Sequence, residues 1–205
     1  MPNELNHAAG DSPRPGRRRS ERSHKSVLAA TMALLEEVGY MALTFEAVAA
    51  RAGVSRATIY RWWPSKASLV IEALDGVIPK PEPVLTGDTR ADVRTVVQAI
   101  LDNYIRTPFG LNLAVLAFDA AGDPEATTRL VDMFGPRRAA EASVVLTAAS
   151  RGDLPHDVDV HLVLDIVMGT LIFRALIGVA PDDHLVDQLT DLLVSGKPPR
   201  VAARR

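Results

Sequence analysis

The stretch 44–66, TFEAVAARAGVSRATIYRWWPSK, constrains the fold more than any other part of the chain. Phe45, Val48, Ala49 and Ala52 recur at helical spacing and give a first short helix one apolar face. Thr44 stands before that face as a natural N-cap, and Gly53 follows it where a helix ends with positive φ. Ser55 caps a second helix, whose Ile59 and Trp62/Trp63 turn back toward the first, and Pro64 stops it. Two helices of about eight residues bury too little apolar surface to stand alone, so they require a third behind them. Such a pair is suited to holding a small polar helix out from a compact base.

That is the form of a DNA-reading helix-turn-helix. The side chains left outside on the second helix are Arg56, Thr58, Tyr60 and Arg61, all able to donate to phosphates or base edges and none acidic. The same pattern also suits an ordinary helical hairpin in a core, so the flanks decide.

Residues 1–20 are rich in Pro, Gly, Asn and Arg and predict a disordered basic arm. Arg14, Arg17, Arg18, Arg19, Arg22 and Lys25 face one acid, Glu21. Flexible arginines at 17, 18 and 19 beside a helix-turn-helix can reach phosphates or a narrow minor groove; a solubilising tail is the alternative. From about 22 to 38 the spacing predicts a helix, with Val27, Thr31, Leu34 and Val38 in one stripe, Leu28 and Leu35 beside it, and Gly39 ending it. This is the third helix the pair requires. A further helix starts at Ser65, burying Leu69, Val70, Ala73 and Leu74. Lys66 in its first turn, with the free N–H groups there, makes a phosphate clamp.

Charge is distributed accordingly. Residues 1–66 hold ten Lys/Arg and six Asp/Glu, and the remainder 13 and 19. A basic front on an acidic body suggests that only the front meets a polyanion.

The run 22–77 resembles the DNA-binding domain of the TetR family of bacterial repressors. The matching residues are Gly39-Tyr40, Thr44-Phe45, Val48-Ala49, Ala52-Gly53-Val54-Ser55, Thr58-Ile59-Tyr60 and Pro64-Ser65-Lys66. Trp62 and Trp63 replace the family's usual smaller aromatics. The resemblance implies that Thr44, Tyr60 and Lys66 contact phosphates. It also implies that Val54, Ser55, Arg56, Ala57, Thr58 and Arg61 face the major groove beside Trp62, with Trp63 in the core. Independently of the family, Arg56 or Arg61 is placed to pair bidentately with guanine.

The second half predicts more helices and no strand, so the fold class is all-α: a small reading head on a larger helical domain. The expected boundaries are an arm at 1–20, a head at 21–78, a Pro-rich linker at 79–88, a helical effector-binding and dimerisation domain at 89–196, and a flexible tail at 197–205. Expected helices cover 89–106, 108–121, 124–134 behind an Asp123 cap, 137–151 after a break or kink at Gly135-Pro136, 158–178 and 182–195. The 158–178 helix is apolar on more than one face, so one face must be covered from outside. Phe173 and Ile177, with Leu185, Leu189, Leu192 and Leu193 of the last helix, are the candidate dimer interface. A palindromic operator needs two reading heads about one DNA turn apart, and TetR-like proteins pair through their last two long helices. A buried central helix in a monomer is the alternative. Tyr104, Phe109, Leu113, Leu116, Phe134, Met168 and Ile172 are the candidate lining of a ligand cavity, with a packed core as the alternative; the family resemblance alone implies a small-molecule effector. The expected partners are thus operator DNA, an apolar small molecule and a second copy of the chain.

The absence of cysteine excludes disulfides and thiolate chemistry and fits a reducing cytoplasm. No segment approaches the ~18 apolar residues of a membrane span. His156, Asp157, Asp159, His161 and Asp165 could suggest a metal, but acids at a helix start and an exposed histidine explain them better, so no metal or cofactor is expected. No nucleophile elbow, P-loop or dinucleotide fingerprint is present, and no enzyme is expected. The leading expectation is a repressor released from its operator by a ligand. A ligand-independent or activating regulator comes next, and an all-α enzyme or interaction protein last.

Overall fold

A computed structural model describes the backbone of residues 15–107 and 110–196; the side chains of 15–19 and 111 lie outside that description. Helices follow in the order α1 (Pro15–Ala42), α2 (Phe45–Ala52), α3 (Arg56–Trp62), α4 (Lys66–Asp75), α5 (Thr89–Ile100), α6 (Gly110–Ala120), α7 (Pro124–Ser150), α8 (Val160–Leu176) and α9 (Asp183–Ser195). No strand occurs among the described residues. The chain is all-α, as the periodicity predicts.

The head is α1–α4. Val27, Thr31, Leu34 and Leu35 of α1, Phe45 and Val48 of α2, Ile59 and Trp63 at the end of α3, and Leu69, Val70 and Leu74 of α4 are buried together. Val38 is half exposed rather than in the stripe, because the helical path breaks one residue later, at Gly39 with φ 74° and ψ 172°. α1 begins at Pro15, so residues 15–20, expected as disordered, have helical backbone. Proline is favoured in a first turn and arginine is a strong helix former, which the composition argument passed over. The rest of the expected arm, the tail 197–205 and Phe109 lie outside the described residues.

The body is α5–α9, and it departs from expectation at three places. First, α5 does not run on as an α-helix to 106 but continues as a π-helical turn, Leu101–Ile105. Second, α7 passes unbroken through Pro136. Gly135 and Pro136 are both exposed, so the Asp132 carbonyl that loses its donor lies where water can serve it. Third, α9 turns its leucine stripe inward. Leu185, Val186 and Leu189 are buried in the chain's own core, and Leu192 and Leu193 are partly buried. The reason lies in charge spacing: Asp183, Asp187 and Asp191, one helical turn apart, meet Arg106, Arg94 and Arg90 at 3.0, 2.8 and 2.8 Å. These exposed pairs set the register of α9 on α5.

Between the two parts runs 79–88, which is anchored: Asp92 accepts from the Thr86 amide at 2.8 Å and the Thr86 hydroxyl at 2.7 Å. Head and body are clamped by buried polar contacts. Arg137 of α7, fully buried, binds the Asp75 carboxylate at 2.7 Å and donates to the carbonyls of Ile78 (2.5 Å), Pro79 (3.1 Å) and Met133. It thereby supplies donors to the frayed C-terminal end of α4. On the other side, the Tyr40 hydroxyl donates to Asp119 of α6, and its amide to Asn112 at 2.8 Å. Burial, and then the hydrogen bond to the Asp119 carboxylate, push the Tyr40 hydroxyl far above its ordinary pKa, so it stays a donor.

Candidate nucleic-acid interface

α2 and α3 are short because their ends are capped. The Thr44 oxygen accepts from Ala47 N at 3.2 Å, and Gly53 closes α2 in the left-handed region at φ 66°. The Ser55 oxygen then accepts from Thr58 N at 3.2 Å. Each cap uses a lone pair on a hydroxyl oxygen, and a hydroxyl also carries an O–H that can donate.

α3 has two distinct sides. Ile59 and Trp63 are fully buried, and the Trp63 indole N–H donates to Glu72 of α4 at 2.7 Å. Arg56, Ala57, Tyr60 and Arg61 are exposed, with Ser55 beside them, while Thr58, Val54 and Trp62 are partly buried. The Tyr60 ring stands edge-on to Phe45 at 4.8 Å, which fixes its direction while leaving its hydroxyl outside. Arg61 lies over the Trp62 ring at 5.2 Å, a stacked arrangement that holds the guanidinium near α3. Ser20, Ser23, Gly53, Ser55, Thr58, Arg61 and Trp62 line a groove of about 530 Å³ between α1 and the α2–α3 turn. Its donors and its single positive charge suit an anionic ridge.

Two of the expected contacts are tied down by partners that the sequence does not reveal. Arg56 pairs with Glu46 of α2 at 2.6 Å and lies near the Tyr60 hydroxyl at 3.5 Å. A carboxylate therefore does stand at the edge of the polar face. Lys66 donates to the Tyr40 carbonyl at 3.1 Å and sits 4.3 Å over the Tyr40 ring. An ammonium has three donors, so one engaged with Tyr40 leaves others. Arg17, Arg18 and Arg19 have backbones in α1, and their side chains lie outside the described residues.

His24 and Glu72 were missed altogether. The His24 ring packs on Trp63 at 4.7 Å and on Trp62 at 5.2 Å, and its Nε2 lies 3.0 Å from Glu72. The two tryptophans are thus wedged between α1 and α4. Only the position of His24, three residues before Val27 on the buried side of α1, hints at this.

In the body, Leu113, Phe134, Met168 and Ile172 line a largely apolar cavity of about 540 Å³ between α6, α7 and α8, with Ala117 and Leu130 and with Arg138 and His161 as its polar groups. Tyr104 and Leu116 are not in its wall. Leu116 is fully buried in packing, and Tyr104 stands behind the lining with its ring 5.5 Å from Phe134. Of the candidate interface residues, Phe173 and Ile177 are 63% and 56% exposed, whereas Leu185 and Leu189 are spent on α5. Of the acids once weighed as metal ligands, Asp159 caps α8 and Asp165 pairs with Arg138 at 2.8 Å. No described helix is long and apolar enough to cross a membrane.

Residues 27–73 match the tetR family of bacterial regulatory proteins, and residues 83–193 match the tetracyclin repressor-like C-terminal domain. The chain is 31% identical over 181 residues to the HTH-type transcriptional regulator YdeS of Bacillus subtilis strain 168, covering 85% of this chain and 89% of that protein. It is 28% identical to the DNA-binding transcriptional repressor TetR of Mycobacteroides abscessus, covering 88% and 97%. Among solved structures, the TetR family transcription regulator SCO0332 superposes with a TM-score of 0.66 at 35% identity, covering 87% of this chain and all of that one. With its capped α2–α3 pair inside the first match and its helical body inside the second, this chain belongs to the TetR family and is a DNA-binding transcriptional regulator.

Proposed function

We propose that the protein is a dimeric repressor that leaves a palindromic operator when a small apolar molecule enters the cavity between α6, α7 and α8. One observation carries this reading: the helices that wall the cavity also hold the head. α6 supplies Asn112 and Asp119 to Tyr40, and α7 supplies Arg137 to the end of α4 and Arg129 to Glu72 at 3.6 Å. A ligand that spreads α6 from α7 cannot leave both sets of contacts in place, because packed interfaces shift between discrete arrangements.

On this reading α3 enters the major groove. Arg56, Arg61 and residues 54–58 read bases beside Trp62. Thr44, Tyr60 and Lys66 hold phosphates, with Arg17, Arg18 and Arg19 reaching along the backbone. The dimer forms through α8, where Leu162, Ile166, Gly169, Phe173 and Ile177 fall on one exposed face at spacings of four, three, four and four residues. The proposed division of the chain has the head ending near 78, the strap 79–88 and the body to 196.

The test is to select bound fragments from a genomic pool, then titrate the bound duplex with apolar candidates by anisotropy. Release is expected from wild type and not from Ala117→Phe, which fills the cavity yet still binds the duplex. Release of both proteins by the same compound would place the effector elsewhere. A duplex without two-fold symmetry would remove the dimeric reading.

A further inference from the structure

A second cavity, of about 310 Å³, lies under the strap, between α5 and a later stretch of α7. Its roof is residues 81–85, and its walls come from α5 and α7 with Asn103 at one end. The chemistry of this lining differs from that of the first cavity. Asp92, Glu141 and Glu82 all line it, and no Lys, Arg or His does. Asp92 and Glu141 are only 3% and 4% exposed.

Of the two, Asp92 is left with an unpaired buried oxygen. Asp92 uses one oxygen for Thr86, while its other, Oδ2, is buried without a hydrogen-bond partner among the described residues. The nearest cation to that oxygen, Arg151, is 3.8 Å away and is committed to Asp153 at 2.9 Å and Thr89 at 2.7 Å. Glu141 lies on α7 one turn after Arg137 and Arg138, whose charges act on its carboxyl. The first of these is consumed by Asp75 and backbone carbonyls, and the second by Asp165. A buried carboxylate oxygen without a donor costs stability, and natural proteins keep such groups where something else supplies the donor. Val96, Ala99 and Val144 add apolar wall, with Thr95 and Asn103 as neutral polar groups beside them. Glu82, Val84 and Leu85 are exposed at the rim, so the site opens to solvent past a third carboxylate.

We infer that this cavity is a binding site for a small organic cation, a primary or substituted ammonium on an apolar body, whose charge is taken by Asp92 and Glu141. The volume fits the lower end of small-molecule sites. Apolar walls around two acids match a hydrophobic amine. A bare divalent ion is a poorer fit, because no three metal-ligating side chains converge among the described residues. Burial holds the Glu141 carboxyl up at about 7, so an arriving ammonium returns it to the ionised form and a proton leaves to solvent.

The probes are phenethylamine, its neutral counterpart 2-phenylethanol and the anion phenylacetate, titrated calorimetrically into the full chain at pH 7 in two buffers of different ionisation enthalpy. Phenethylamine is expected to bind at least tenfold more tightly than 2-phenylethanol, with phenylacetate not binding and with proton release visible as buffer-dependent heat. Glu141→Gln, which keeps size and shape, is expected to lose at least tenfold in amine affinity and all of the proton release. Ala99→Leu is expected to block the amine, and Ala117→Phe in the other cavity to leave it unchanged. Both Glu141→Gln and Ala99→Leu are checked for cooperative unfolding. No amine binding at millimolar concentration overturns the inference. So does equal binding of all three probes, or an amine affinity that ignores both Glu141→Gln and Ala99→Leu. Operator binding enters none of these readouts, so the outcome is independent of the repressor reading.

Discussion

Glu141 shows how one residue ties stability to pH. Burial is the largest influence on its carboxyl and raises it from 4.5 to about 7, against the pull of Arg138 and then Arg137. Tyr104, raised above its ordinary range by burial and then by Glu141, is the titratable neighbour from the π-helical turn, and Asp92 shares the cavity from α5. A carboxyl raised in the folded state contributes stability that is fully present below its unfolded value of 4.5 and lost as pH rises through 7. The loss is about 3 kcal/mol for this shift. Urea unfolding from pH 4.5 to 8 is therefore expected to show Glu141→Gln gaining about 3 kcal/mol on wild type across that window. A constant gap would mean the carboxyl titrates normally. On the reading side, Arg56→Ala is expected to cost about 1–3 kcal/mol on the operator and to relax its preference, while Lys66→Ala weakens operator and scrambled duplex alike. Equilibrium binding at fixed salt distinguishes the two. The caps behind these assignments, Thr44, Gly53 and Ser55, were legible because each acts within its own few residues. The Glu46–Arg56 pair was not, because it forms between helices whose rotation about one another no local pattern specifies.

At the level of whole helices, periodicity located the descriptive elements of the body but not their orientation. The leucines of α9 were legible as a stripe, yet a stripe does not say whether it faces its own chain or another. The arginines of α5 settle that, and they lie about ninety residues away in sequence. Of the break or kink that Pro136 suggests, α7 shows no break, because an exposed proline can be carried if water serves the freed carbonyl. Pro136→Ala restores the missing N–H. It is expected to stabilise the protein by about 1–3 kcal/mol, the helix-interior penalty of proline less what the ring removes from the unfolded chain. Chemical denaturation is the check, and destabilisation would show that the packing of α7 depends on the proline ring. α8 presents the converse case. Its second apolar face was expected and is present, and Gly169 stands in the middle of it with open space where a Cβ would be. A glycine there allows a second helix to approach closely.

For the molecule as a whole, the proposed dimer rests on that face. Phe173 and Ile177, with Leu176 at 55% exposure, form a large apolar area at one end of α8 that an isolated chain would leave in water. Sedimentation at micromolar concentration is expected to show a dimer for wild type and a monomer for Phe173→Glu with Ile177→Glu. That double variant should also lose most of its affinity for a two-half-site duplex while holding a single half-site as before. A variant that stays dimeric would move the interface off α8, and a wild-type monomer would overturn the dimer. The wedge between α1 and α4 also has a use outside recognition. The chain's two tryptophans are neighbours at the end of α3, one dry and bonded to Glu72, the other partly open beside Arg61. Every photon of indole emission therefore comes from the tip of the reading helix. Fluorescence excited at the red edge of the absorption band can follow that helix through ligand binding, DNA release and unfolding without a label, while α5 to α9 remain optically silent.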